Sequence, residues 1–379
     1  MIQAKKIYII AGEASGDLHG GQLIKEIKKS NPTIDVRGWG GNNMESAGVQ
    51  LDIRYEKTNF MGFTEVLKNL FTILDLFKIT KKSILEFKPD AIILIDYPGF
   101  NLRIAKWAHQ NLIPVYYYIA PQAWAWKEKR VLILKKYVKK LFIILPFEKL
   151  FFSKHGIDTY YFGHPLLETI KQFKFNPEFR KVHKLTNKSI IALLPGSRKQ
   201  EISKLLPIYL DGIKNECKYQ IVIAGLSHHQ ELYEYYIQKS GIKAQIVYDD
   251  TYNLLYQAQL ALVTSGTATL ETALFGVPEL VCYKGSQISY WIAKRLIKVK
   301  YISLVNLIAD KKIVQELIQD DCTPVAIQSE FRKFQDPQIR KRIKYNLESI
   351  QKMLDGHNCY EKVAAEILKD LNQPELNNY

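Results

Sequence analysis

The sequence predicts an α/β protein built from two doubly wound parallel-sheet domains that face a central cleft and carry a helical C-terminal extension. Three observations lead there. The chain has 379 residues, too many for one ordinary core. Short continuous apolar runs alternate with helical patterns, as in parallel sheets covered on both faces. The alternation occurs in two series, separated by the polar stretch KFNPEFRKVHKLTNKS.

The first series reads as strands KIYIIAG, DVRGWGG, DAIILID, VYYYIAP, LFIILP and DTYYFGHP, with helices such as QLIKEIKKS and NLRIAKWAHQN between them. The second reads as SIIALLPGS, QIVIAG, AQIVYDD, LALVTSG and ELVCYKG. The boundary falls between Gly163 and Lys188. The expected domains are residues 1–170, 186–325 and a helical segment 326–379, whose helices have three possible partners: the second domain, the first, or another subunit. Ligands of such folds bind outside the carboxyl ends of the strands.

Composition narrows the function. No apolar run reaches the length of a membrane span, and IYIIAG is too short for a signal peptide, so the expectation is a cytoplasmic protein. Cys217, Cys282, Cys322 and Cys359 are scattered without a C-x-x-C pair, which indicates neither disulfides nor zinc. The net charge of +15 favours anionic partners. The basic residues are interleaved with aliphatics in WKEKRVLILKKYVKK and WIAKRLIKVK and form no recognisable nucleic-acid module, which argues against nucleic acid.

The turn GEASGDLHGG follows the first strand. Its glycines, Gly12, Gly16, Gly20 and Gly21, miss the dinucleotide spacing, and Glu13 and Asp17 would repel a pyrophosphate. Phosphate chemistry falls instead in the second series. In TSGTATLE a strand ends in Ser265, Gly266 and Thr267 at a helix start, which fits an anion site or a simple cap. Glu271, one turn on, suits a ribose diol. In LLPGSR the turn Gly196-Ser197 precedes Arg198, whose forked donors match phosphate oxygens. No Walker A pattern occurs. For catalysis, Asp96 ends the apolar run DAIILID, where burial would raise its proton affinity and make it the best candidate for a general base; the lesser reading is a cap for the turn before Pro98.

The stretches AGEASGD, MGFTEVL, LIDYPGFN, PQAWAWKEKR, LPFE, GHPL, LLPGSR, TSGTATLE, WIAKRLIKVKYISLVNLIAD and DDCTP run in order over most of the chain. As a set they resemble the lipid-A-disaccharide synthases, glycosyltransferases of GT-B architecture. The resemblance implies transfer of 2,3-diacylglucosamine from its UDP derivative to the 6-hydroxyl of 2,3-diacylglucosamine 1-phosphate (lipid X), by a single inverting displacement without metal or cofactor. It places Asp96 at the catalytic aspartate, with Glu13 and Asp17 as runners-up, and adds Asn306 to the site. The acceptor would lie in the first domain near Ser15 and Gly16, with the glycines allowing a sugar to approach, and UDP in the second. His19 is a possible site residue only, His164 sits at the hinge, and Trp124 and Trp126 pack or line an acyl groove. The resemblance also implies a possible homodimer through exchanged C-terminal segments and a peripheral place on the cytoplasmic face of the inner membrane. A related UDP-sugar enzyme, such as a UDP-N-acetylglucosamine 2-epimerase or the lipid II-forming glycosyltransferase, is the nearest alternative; a non-enzymatic basic membrane- or nucleic-acid-binding protein is a more distant one.

How such a chain meets acylated sugars is read from VLKNLFTILDLF. At helical period its apolar arc fits either a core-facing helix or an interfacial one. Bulky residues, the following KITKK and the amphiphilic substrates favour the second, so Leu70, Phe71, Leu74 and Phe77 are expected to border the acceptor entrance and dip into the membrane.

Overall fold

A computed structural model describes residues 4–57, 70–126, 128–285 and 300–372. The chain divides into two compact units, Met1–Pro165 with Gly356–Tyr379, and Leu166–Asp355.

The first unit holds β1 (Lys6–Ala11), β2 (Asp35–Gly40), β3 (Gln50–Arg54), β4 (Ala91–Ile95), β5 (Val115–Tyr118), β6 (Lys140–Ile143) and β7 (Thr159–Tyr161). They form one seven-stranded sheet in the order β3-β2-β1-β4-β5-β6-β7, parallel throughout. Successive side chains of a strand point to opposite faces. Ile7, Ile9 and Ala11 accordingly enter one core, with Leu23, Ile24 and Ile27, while Tyr8 and Ile10 enter the other, with Phe77, Phe100 and Ile104.

The second unit holds β8 (Ser189–Leu194), β9 (Tyr219–Gly225), β10 (Ala244–Tyr248), β11 (Ala258–Thr264), β12 (Glu279–Tyr283) and β13 (Gln315–Ile318). These make a six-stranded parallel sheet in the order β10-β9-β8-β11-β12-β13. The sequence signals no strand at β3 or β13, because QLDIR and QELI are short and largely half-buried. Both are edge strands, with one neighbour and less apolar surface to cover.

The helices beyond residue 326 are shared between the units. Helix Pro324–Lys333 packs Ile327 against Gly212, and helix Pro337–Met353 is tied by Gln351 Nε2 to the Leu274 carbonyl at 2.7 Å. The last helix, Cys359–Asn372, returns to the first unit of its own chain, burying Val363, Ile367 and Leu371 beside Leu23 and Ile27. Lys140 Nζ anchors it through Glu366 at 2.8 Å and Asp370 at 2.9 Å. The chain re-enters through Gly356, where a Cβ would lie 2.1 Å from the Phe162 carbonyl oxygen. Only glycine fits that approach.

Candidate active site

In the first sheet the strand order reverses between β1 and β4, so the segments that follow them diverge and leave a crevice at their carboxyl ends. Glu13 follows β1 and Asp96 follows β4, one on each side of that point. Asp96 and Tyr97 both adopt left-handed backbone angles, φ 41° and 48°, a strained arrangement for non-glycine residues. Three bonds hold it. Asn101 Nδ2 donates to the carbonyls of Ile95 (3.1 Å) and Asp96 (2.8 Å), and the Tyr117 hydroxyl donates to the Asp96 carbonyl at 2.5 Å. Burial, with the Glu13 charge adding to it, pushes the Asp96 carboxyl up from 3.8 to about 7, against the pull of the Tyr97 N–H and Arg130. A carboxylate with that proton affinity is a competent general base near neutral pH.

Asp17, a runner-up for the base, has a different set of partners. Its carboxylate is 1% exposed and accepts from Gly41 N (2.6 Å), Asn43 N (3.1 Å), Asn43 Nδ2 (2.8 Å) and Met44 N (3.1 Å), which caps helix Asn42–Ser46. All its acceptor capacity is committed. Gly16 is likewise buried within the protein: a Cβ there would meet Ala11 at 3.2 Å and Ile95 at 3.6 Å, and Gly21 makes room for the Asn43 main chain, so these glycines admit neighbouring elements, not a sugar. Gly12 has the clearest task, since a Cβ at that position would overlap the Tyr97 ring at 2.4 Å. Ser15, in the first turn of helix Ala14–Ser30, is exposed. His19 is buried against the Tyr360 hydroxyl (2.8 Å) and held down at about 4 by burial; His164 is held at about 3 by burial and by His19. Both are neutral structural groups.

Sequence reasoning missed two charged residues near Asp96. Arg130 opens helix Arg130–Tyr137 and interacts electrostatically with Asp96 and Tyr117. Glu148, in the first turn of helix Pro146–Ser153 after β6, is 1% exposed and is pushed up to about 7 by burial, with the Asp96 charge contributing. Its Oε1 accepts the Trp124 indole N–H at 3.0 Å. PQAWAWKEKR and LPFE contain both residues, yet each reads as surface charge on a helix. The Trp126 side chain lies outside the described residues.

The second sheet reverses between β8 and β11, and the two turns singled out for phosphate follow those two strands. Ser197, Arg198, Gly266 and Thr267 are exposed there, and Ser265 is half-buried. Helices Lys199–Ile213 and Thr267–Leu274 begin at these turns and direct their N-terminal partial charge to the same sheet end. Gly196 is at φ +105°, with Glu201 packed where a Cβ would be. Glu201 Oε2 accepts from Ser197 N (3.2 Å) and Arg198 N (3.3 Å), while Oε1 pairs with Arg198 Nη1 at 3.2 Å. The turn thus already binds a carboxylate of its own chain. Glu271 accepts from the Tyr252 hydroxyl at 3.1 Å, and burial raises its proton affinity.

The Asn306 amide bonds within its own domain. Fully buried, it receives Ile313 N (2.7 Å) and Val314 N (3.0 Å) on Oδ1 and donates from Nδ2 to Val314 O and Glu316 Oε1, both at 2.9 Å. Its amide is saturated and stitches helix Leu304–Ala309 to β13.

The membrane arc is corrected in part. Phe77 is 9% exposed and stacks on Phe100 with centroids 4.1 Å apart at 15°, so it belongs to the core. Leu74 is 47% exposed. The side chains of Leu70 and Phe71 lie outside the described residues, as do residues 66–69.

The family described as Lipid-A-disaccharide synthetase matches residues 7–369. A lipid-A-disaccharide synthase of Syntrophus aciditrophicus is 39% identical over 378 residues, covering 97% of this chain and 98% of the relative. Lipid-A-disaccharide synthase 1 of Legionella pneumophila subsp. pneumophila is 34% identical over 380 residues, covering 97% and 99%. Among solved structures, a UDP-GlcNAc 2-epimerase of Neisseria meningitidis bound to UDP-GlcNAc superposes with TM-score 0.64 at 15% identity, covering 97% and 99% of the two chains. The glycotransferase of kitacinnamycin superposes with TM-score 0.65 at 13% identity, covering 97% and 100%. At those identities the likeness establishes the GT-B fold and nothing more. The sequence relatives go further: the chain belongs to the lipid-A-disaccharide synthase family of glycosyltransferases.

Proposed function

We propose that the protein transfers 2,3-diacylglucosamine from its UDP derivative to the 6-hydroxyl of 2,3-diacylglucosamine 1-phosphate, giving lipid A disaccharide 1-phosphate and UDP. The observation that carries this reading is Asp96, a half-buried carboxyl whose proton affinity is raised toward neutrality, at the switch point of the first sheet in a chain of this family. Asp96 takes the proton of the acceptor hydroxyl as that oxygen attacks the anomeric carbon; the bond to the diphosphate oxygen breaks, the configuration inverts and UDP leaves. Glu13 raises the basicity of Asp96 by repulsion.

In the second unit the two helix starts and Arg198 meet the negative charge of the departing diphosphate, with Glu271 as partner for the ribose. Preorganised donors of this kind stabilise charge as it develops. The acyl chains bring the reaction to a bilayer surface. Among the described residues no helix is long and apolar enough to cross a membrane. Attachment is therefore assigned to the exposed apolar and basic side chains near Leu74 and to the net charge of +15 acting on anionic lipid.

Incubation with both acylated sugars, followed by mass measurement of the product, tests the reading. A disaccharide 1-phosphate with stoichiometric UDP supports it. An epimerised sugar or a lipid pyrophosphate overturns it.

A further inference from the structure

We infer that Glu148 is a positioning residue of the transfer reaction, holding the Trp124 indole at the site and acting on Asp96 through its charge. The inference rests on the reading of Asp96 as the base. A glutamate in the first turn of a helix ordinarily caps nearby main-chain N–H groups from the protein surface. Glu148 does cap: Oε2 accepts from Leu145 N at 3.1 Å and Ile144 N at 3.3 Å. Capping needs only that oxygen and gives no reason to bury the group. Yet the side chain is 1% exposed, and its other oxygen takes the indole N–H of Trp124, whose ring packs edge-on against Phe147 at 4.9 Å and 86°.

Topology supplies the second argument. Glu148 follows β6, Tyr117 lies on β5 and Asp96 follows β4, and these three strands are neighbours in the sheet. The largest influences on Asp96 beside burial are Glu13 from beyond β1, the Tyr97 N–H and Arg130, and Glu148 adds a smaller one; Tyr117, kept protonated by burial, and the Trp124 indole complete the set around the two carboxyls. Asp96 raises the proton affinity of Glu148, and coupling between two sites is reciprocal, so a charge on Glu148 raises that of Asp96 equally. Both carboxyls are pushed up to about 7, so each is partly ionised where the other responds.

The test is the pH profile of kcat/KM for the full chain, wild type against Glu148→Gln and Trp124→Phe, with Asp96→Asn as control. Glutamine removes the charge. Phenylalanine removes the indole donor, which leaves Glu148 more readily protonated and so uncharged over more of the neutral range. Either change weakens the repulsion at Asp96, and the acid limb moves to lower pH by about 0.5 unit or more. Glutamine has one acceptor oxygen where glutamate has two, so Glu148→Gln also loosens Trp124 and raises the KM for the acceptor by about threefold or more, about 0.65 kcal/mol. A purely structural Glu148 would lower activity evenly at every pH, and an acid limb unmoved in the folded variants overturns the inference. Should Glu148→Gln fail to fold, the position of the Trp124→Phe limb decides alone. Wild-type turnover by Asp96→Asn overturns the parent reading instead; an inactive Asp96→Asn with unmoved limbs rejects Glu148 only.

Discussion

The Tyr117 hydroxyl donates a 2.5 Å hydrogen bond to the main-chain carbonyl of Asp96, so the neighbouring strand β5 fixes the turn that presents the Asp96 carboxyl after β4. With Asn101 bonding the same carbonyl at 2.8 Å, two buried side chains restrain a main-chain conformation that is costly for Asp96 and Tyr97. Strain of this kind persists only where its surroundings determine it. It separates the role of the Asp96 backbone, held by neighbours, from that of its carboxyl.

Asp96→Asn is therefore expected to fold and to lose turnover by about a hundredfold or more. Its stability should move the other way. The folded Asp96 carboxyl titrates at about 7 against an ordinary 3.8, so the folded state binds that proton more tightly and ionisation opposes folding. The opposition is absent below 3.8, grows up to about 7 and is complete above it. The asparagine variant should thus melt higher than wild type at pH 8, with the gap closing as pH falls toward 4. A variant that melts lower at pH 8 would remove the desolvation argument.

Asp17 should behave in the opposite manner. Replacing it with alanine strands three main-chain N–H groups and the Asn43 amide, at a cost of about 2–4 kcal/mol in stability. Turnover per folded molecule should stay within a few-fold of wild type. A folded Asp17→Ala protein with a hundredfold loss of kcat would restore Asp17 to the mechanism.

The contrast between these carboxylates shows what was legible in the sequence. Both follow apolar strands within a few residues of sequence, which suffices to put Glu13, Asp96 and the turns at 196–198 and 265–267 at sheet ends, although Asp17 lies inside helix Ala14–Ser30. What a sequence does not display is which donors a side chain already serves. Asp17 and Asn306 read as site groups until their partners are counted, and Glu148 reads as an exposed helix-start acid until its burial is known. The strands were legible where apolar runs are buried on both faces, and illegible at the edges β3 and β13.

Asn306→Ala is expected to cost about 2–4 kcal/mol, because Ile313 N, Val314 N and Val314 O lose their partner together. The affinity for UDP should be unchanged at temperatures where the variant is folded. Calorimetry reads both quantities, and a tenfold weaker UDP complex in a protein of unaltered melting temperature would return Asn306 to the ligand site.

Arg198→Ala should reverse that pattern. The Arg198 side chain is 57% exposed and its pair with Glu201 lies at the surface, so stability should change by less than about 1 kcal/mol. A lost charge-assisted bond to the diphosphate should weaken UDP binding by about tenfold or more, with the difference shrinking at high salt. Equal affinity at low ionic strength would show that the turn after β8 holds no phosphate.

Leu74 and Phe77 lie three residues apart on one helix and should part company when replaced by serine. Phe77 stacks on Phe100, and the Arg103 guanidinium lies 5.7 Å from its ring, so Phe77→Ser opens a cavity and buries a hydroxyl in the core of the first unit. Its cost is about 3–5 kcal/mol, seen as a large drop in melting temperature. Leu74 is 47% exposed, and Lys78 and Lys82, one and two turns on, are exposed along the same side of the helix. Leu74→Ser removes apolar surface that already faces water, so thermal stability should hardly change. Binding to vesicles rich in anionic lipid should weaken, because each apolar side chain adds to insertion while the lysines supply only the screened electrostatic part. Vesicle co-sedimentation at two salt concentrations separates these contributions. Leu74→Ser binding as tightly as wild type at high salt, where insertion must carry the attachment, would take Leu74 off the membrane face.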